Sequence, residues 1–184
     1  KDNESHVEVT REIARRFNSL YGEVFPVPDC MVAEEGTLVG TDGQAKMSKS
    51  LGNTIGVTET PEQIWEKLRP AMTDPARKMK KDPGTPEICN LYALHRHFSP
   101  EQTVAEVAAK CRSAGWGCLE CKRVLADQMI ATLAPLREKS LELTARPDEV
   151  TAILADGAAR ARRLAAETLV EVTERMGFLP EDGC

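Results

Sequence analysis

From Glu87 onward the sequence reads as one helix after another, and this run constrains the fold more than any other feature of the chain. Between Pro147 and Met176, residues Val150, Ile153, Leu154, Ala158, Ala161, Leu164, Ala165, Leu169, Val172 and Met176 fall on one side of a helical projection, because positions three and four apart share a face. Glu87 to Phe98 and Gly117 to Leu143 also read as helices, and Ser99-Pro100-Glu101-Gln102 supplies a cap and the start of another between them. Helices with one apolar face bury it against each other, so the C-terminal part is expected to be a helical bundle.

The earlier part is more broken. Val7, Val9, Ile13, Phe17 and Leu20 lie near helical spacing with Arg11, Arg15 and Arg16 among them, which predicts an amphipathic helix ended by Tyr21-Gly22. Val24 to Pro28 is too rich in proline for a central strand and reads as a short edge strand or an extended link. Glu34 to Asn53 holds four glycines and little apolar content, the composition of an exposed, mobile loop. Thr60-Pro61-Glu62-Gln63 then caps and starts a helix through Leu68. Thr73 to Pro86 carries two turn signals, Asp74-Pro75 and Asp82-Pro83-Gly84, with Arg77, Lys78, Lys80 and Lys81 between them, and is expected to be a basic connection outside the core. A division between 1–75 and 76–184 follows.

Composition excludes some functions. With 29% charged residues and no apolar run approaching 18 residues, the chain is expected to be a globular protein with no membrane partner. Its first residues have no apolar region of the signal-peptide type, so a cytoplasmic location is expected. There is no initiator Met and the chain opens in what reads as a turn entering a helix, so a true N-terminus upstream is expected. The net charge of −5 argues against a general basic coat for nucleic acid, but leaves room for local phosphate contacts.

Inside the glycine-rich loop stands Lys46-Met47-Ser48-Lys49-Ser50. Two ammonium groups and two hydroxyls on a mobile loop can gather around a polyphosphate and stabilise charge that builds on a departing pyrophosphate. The pentapeptide matches, letter for letter, the KMSKS signature of class I aminoacyl-tRNA synthetases, and Leu51-Gly52-Asn53 continues it as in many members. The rest narrows the resemblance to the tryptophanyl-tRNA synthetases. Residues 1–18 resemble the stretch of that family that runs from a nucleotide-contacting G-E-D-Q turn into a helix ending in R-F-N. Asp82-Pro83-Gly84, Cys89-Asn90-Leu91, Gly115-Trp116-Gly117, Leu133 to Glu138 and Gly157-Ala158 through Met176-Gly177 follow in the family's order.

The resemblance implies ATP-dependent activation of L-tryptophan to tryptophanyl-adenylate, with ATP as its magnesium complex, and transfer to the tryptophan tRNA. It implies a mainly α chain: the C-terminal remnant of a dinucleotide-fold (Rossmann-like) α/β catalytic domain over 1–75, then a helical-bundle anticodon-binding domain over 76–184. It further implies a homodimer. By position, Lys1 and Asp2 fall on the nucleotide-contacting turn, Leu38 on the apolar residue that supports adenine, and Lys46, Met47, Ser48, Lys49 and Ser50 on the phosphate loop, with Lys46 and Lys49 as the catalytic cations. Lys1 stands where the family usually has Glu, and Asn3 where it has Gln. The H-I-G-H type motif that pairs with KMSKS is not in this sequence, so these residues alone are expected not to aminoacylate. The alternative expectation is a non-catalytic, synthetase-derived tRNA-binding or regulatory module.

Six cysteines occur, and Cys89, Cys111, Cys118 and Cys121 cluster in the helical part, the last three as C-x6-C-x2-C. Disulfides are not expected in a cytoplasmic setting. The pattern fits a four-thiolate metal site, which by ligand count takes either Zn2+ or a [4Fe-4S] cluster. Some bacterial tryptophanyl-tRNA synthetases carry a [4Fe-4S] cluster on a similar pattern in this domain, so the resemblance favours the cluster, with zinc as the alternative. Cys30 is expected to be a core thiol and Cys184 an unpaired tail residue. Arg112, Lys122 and Arg123 are candidates for phosphate contact or for a solvated helix face, and Trp116 for a base-stacking residue or a bundle plug.

Overall fold

The computed structural model describes residues 3–32 and 38–178. Among the described residues six α-helices run in order: α1 Glu4–Tyr21, α2 Pro61–Leu68, α3 Asn90–Phe98, α4 Glu101–Arg112, α5 Cys118–Thr144 and α6 Pro147–Arg175, with 3₁₀ turns at Lys49–Leu51 and Pro86–Ile88. Among the described residues there is no strand, only an isolated antiparallel bridge between Val39 and Lys46. No described helix is long and apolar enough to cross a membrane. Lys1, Asp2 and Cys184, singled out in the sequence, lie outside the described residues.

Contacts divide the chain into two compact units, Lys1–Gly36 with Arg146–Cys184, and Thr37–Ala145. The position 75/76 expected as a division falls inside the second unit, because Ile64 and Leu68 of α2 belong to the same core as α3 and α5.

In the first unit, α1 ends on Gly22, whose φ of 90° is open to glycine. Asn18 organises the turn beyond it. Its side-chain oxygen accepts the N–H groups of Val24 and Phe25 at 3.1 and 3.0 Å, and its amide donates to the Phe25 carbonyl at 2.8 Å. The proline-rich segment is therefore an extended link held by one asparagine rather than an edge strand. Phe17 closes the turn, with ring centroids 4.9 Å from Tyr21 and from Phe25. Helix α6 has the apolar stripe read from the sequence, yet none of its residues is buried. It belongs with α1 to the first unit.

The second unit has one core. Ile64 and Leu68 of α2, Leu91 and Leu94 of α3, and Leu125, Ala126, Met129 and Leu133 of α5 close around Ala71. Each fully buried Leu or Ile contributes about 1.5–3 kcal/mol over an exposed one. Helix α4 buries Val107 and Ala108 outside that cluster. The start of α2 follows from local chemistry: the Thr60 hydroxyl accepts the Gln63 N–H at 3.3 Å, the Gln63 side chain accepts the Thr60 N–H at 2.9 Å, and Pro61 occupies the first turn. Lys67 then ties α2 to the preceding segment by donating to the Thr54 carbonyl at 2.8 Å and pairing with Glu59.

The 73–86 connection is more tightly built than its basic composition suggests. Asp74 is buried and accepts the N–H groups of Ala76 and Thr85 at 2.8 and 2.7 Å. Arg77 turns inward, its Nη2 donating to the Lys80 carbonyl at 2.8 Å.

Candidate functional site

The KMSKS segment has a fixed base and an exposed tip. At the base, the Gly40 N–H donates to the Ala45 carbonyl at 2.8 Å, Met47 N–H to Leu38 at 3.0 Å, and Thr41 N–H to Asn53 at 2.9 Å. Asn53 is 4% exposed and holds both limbs. Its side-chain oxygen accepts the Ser48 N–H at 2.8 Å, and its amide donates to the Asp42 carboxylate at 2.9 Å and the Lys46 carbonyl at 3.2 Å. The N–H of Gln44 first, and then the Asn53 amide, hold the Asp42 carboxyl below its ordinary 3.8.

Leu38 and Met47 pack partly against the helical core, so the apolar members of the loop serve as its anchor. Beyond them, Lys49–Leu51 forms a 3₁₀ turn closed by Gly52 at φ 67°. Lys46, Lys49 and Ser50 are exposed, and the Ser48 and Ser50 hydroxyls lie 2.8 Å apart. Two cations and two hydroxyls thus share one accessible tip on a braced stem. The sequence showed this tip; Asn53 appeared there only as the end of a motif, and nothing in its neighbours marked it for burial.

Hydrogen bonds tie the stem to the rest of the unit. Met72 N–H donates to the Thr41 carbonyl at 2.8 Å, and the Asn90 side chain donates to the Gly40 carbonyl at 2.6 Å.

All four clustered cysteines line one pocket. Cys89 precedes α3, Cys111 sits in the last turn of α4, and Cys118 and Cys121 occupy the first turn of α5. The α4–α5 turn that makes this possible has Ala114 at φ 55° and a Gly115 N–H donating to Lys110 at 2.8 Å. Burial, and then the neighbouring Cys89, Cys111 and Cys118, push the Cys121 thiol up to about 12. Burial also raises Cys111, against a lowering influence from Arg77. Thiols packed this way favour protonation until a cation joins them, and metal binding reverses that preference.

The surroundings of the four thiols are tightly packed. Gly84 leaves room where a Cβ would lie 2.5 Å from Cys111 Sγ. Arg77 Nη1 is 3.9 Å from the same sulfur, its Nη2 donates to the Lys80 carbonyl at 2.8 Å, and its Nε is buried without a hydrogen-bond partner. Among the described residues, no three His, Cys, Asp or Glu side chains converge as ligands of a single metal ion would. His95 is fully buried beside the cavity, its Nε2 3.4 Å from Cys121 Sγ and its Nδ1 2.8 Å from Ser99 Oγ, and desolvation lowers its pKa to about 4, leaving a neutral ring. Sequence reasoning read Arg77 only as part of a basic connection.

The cations after the cysteines are committed within the fold. Lys122 is buried and donates to the Arg69 carbonyl at 2.7 Å, Arg123 lies 3.6 Å from the centroid of the Trp65 ring, and Arg112 pairs with Glu87. Trp116 is half-buried in the cavity wall. Cys30 is half-buried on the extended link.

Residues 1–134 match the sequence family described as tRNA synthetases class I (W and Y). The chain is 44% identical over 180 residues to the tryptophan–tRNA ligase of Deinococcus radiodurans, covering 97% of this chain and 54% of that protein. It is 45% identical to the tryptophan–tRNA ligase of Treponema pallidum, covering 97% and 53%. Among solved structures it resembles tryptophanyl-tRNA synthetase from Campylobacter jejuni complexed with ADP and tryptophan, with a TM-score of 0.77 and 34% identity over 97% of this chain and 55% of that one. The chain spans about half the length of the curated relatives it matches.

Proposed function

Because the chain belongs to the class I tRNA synthetases of the tryptophan and tyrosine group, we propose that it is the C-terminal part of a tryptophan–tRNA ligase. The observation that carries this reading is the KMSKS loop itself, a braced stem presenting Lys46 and Lys49 at an accessible tip, in a chain 44% identical to such a ligase. In the complete synthetase the tryptophan carboxylate attacks the α-phosphorus of magnesium-bound ATP. The bond to the β-phosphate breaks, leaving tryptophanyl-adenylate and pyrophosphate. A terminal ribose hydroxyl of the tryptophan tRNA then attacks the activated carbonyl and expels AMP.

Lys46 and Lys49 act on the departing pyrophosphate. Its negative charge grows as the bond breaks, so cations that close on it at that moment lower the barrier more than they tighten substrate binding. Ser48, Ser50 and the Met47 backbone supply further contacts around the phosphates. Leu38 supports the adenine ring, and Lys1 and Asp2 contact the nucleotide. Residues 1–75 complete the catalytic domain, and the helices from 76 onward approach the anticodon. The assembly is a cytoplasmic homodimer.

Cys89, Cys111, Cys118 and Cys121 would hold a [4Fe-4S] cluster, with Zn2+ as the alternative. When bound, either group crosslinks the starts of α3 and α5 to the end of α4. The four thiols lining one pocket support a shared group. Arg77 would offset the negative charge of the ligated thiolates, and Gly84 leaves Cys111 its space.

The test is tryptophan-dependent exchange of labelled pyrophosphate into ATP by the complete synthetase, with iron, sulfide and zinc measured on anaerobically purified protein. Exchange driven equally by tyrosine would overturn the tryptophan assignment; a colourless, zinc-loaded protein would replace the cluster.

A further inference from the structure

The stem of the KMSKS loop meets the helical core at Gly40. The Gly40 carbonyl accepts the Asn90 side-chain amide at 2.6 Å and the Gly43 N–H at 3.0 Å, while its N–H donates to Ala45. A Cβ at Gly40 would lie 2.1 Å from Asn53 Nδ2, so Asn53 is packed on one side of this residue while Asn90 holds its carbonyl. Asn90 is the first residue of α3, joined by one peptide bond to Cys89.

The second tie leads to the same place. Met72 holds the Thr41 carbonyl, and the residues after it, Thr73, Asp74 and Arg77, wall the four-thiol cavity. The Met72 N–H and the Asn90 side chain therefore hold the stem from segments that border that cavity.

We propose that Asn90 is a positioning residue of the KMSKS loop, through which occupancy of the four-thiol site sets the loop's resting position. The transmission rests on the reading of that site as a metal or cluster centre. Cys89 stands at the N-cap of α3 with no side-chain cap bond, held through its N–H to the Pro86 carbonyl at 3.0 Å. Helix starts without caps fray. A bond from the Cys89 sulfur to a bound group fixes the peptide that carries Asn90. Without that bond, the first turn of α3 loosens and the Asn90 amide leaves Gly40. The phosphate-handling tip is thereby coupled to a site that lies outside it.

Hydrogen exchange on the chain, with metal content measured in parallel, tests this. Asn90→Ala is expected to raise exchange across 38–53 by roughly five- to ten-fold, the scale of one lost hydrogen bond, while metal content and α5 protection stay unchanged. Removing the bound group from the wild type should produce the same rise, and removing it from Asn90→Ala should add little within 38–53. Asn90→Asp separates loop positioning from a general role in α3. An acidic first residue suits a helix N-terminus, so α3 should hold, yet the donor to Gly40 is gone and the loop should still open. Unchanged loop exchange in both variants, or full additivity with metal removal, overturns the proposal. A chain that takes up neither iron nor zinc overturns the metal reading and the transmission with it, while the variants still report on the Asn90 hold by themselves.

Discussion

The side-chain oxygen of Asn53 accepts the backbone N–H of Ser48 at 2.8 Å, which places a buried amide directly behind the exposed signature loop. The same side chain donates to Asp42 and to the Lys46 carbonyl. Asn53→Ala removes all three bonds and leaves partly buried partners unsatisfied, a loss of about 1–2 kcal/mol. Urea unfolding should register that loss, and trypsin should cut faster after Lys46 and Lys49. A cleavage rate equal to wild type would show that the loop does not depend on this brace.

Lys46→Ala and Lys49→Ala remove exposed side chains, so stability should change little. In the complete synthetase each should slow tryptophan-dependent pyrophosphate exchange by about 10²-fold, the scale of one lost transition-state contact. The KM for tryptophan should stay near wild type. Equal losses in kcat and in tryptophan binding would assign the lysines to general binding instead.

Asp42 gives the loop stem a pH dependence. Its carboxyl is held below the ordinary 3.8 by the Gln44 N–H and the Asn53 amide, so below 3.8 the unfolded chain takes up a proton more readily than the folded one. The contribution is present above pH 3.8 and is lost as pH falls through the lowered folded value. Amide exchange in 38–53 should rise in that acid window, and Asp42→Asn should flatten the rise.

Gly84→Ala puts a Cβ within 2.5 Å of Cys111 Sγ and 3.3 Å of Arg77 Cδ. Overpacking of this kind costs about 1–3 kcal/mol. Iron or zinc per chain should fall together with the melting temperature, whereas Gly52→Ala, with no neighbour inside 4 Å, should leave metal content intact. Retention of a full complement by Gly84→Ala would mean that the cavity is not the binding site.

Much of the secondary structure was legible because its causes are local. The Thr60-Pro61-Gln63 signal lies within one turn of the chain and specifies the start of α2 wherever that helix packs. Asn18 and the 73–86 connection were not legible for the opposite reason. An asparagine that satisfies four polar groups across a turn, or an arginine that faces a sulfur 34 positions away, depends on what the fold brings near.

Periodicity and short motifs determined which segments are helical, that the loop at Lys46 to Ser50 carries phosphate-handling groups, and that four thiols belong together. Only the tertiary structure decided that no residue of α6 is buried, that Arg77 and His95 border the thiols, and that Asn90, next to Cys89, donates to Gly40 of the loop stem. Helix formation and loop chemistry reside in neighbouring residues. Burial and a hydrogen bond across 50 positions are set by how the whole chain packs.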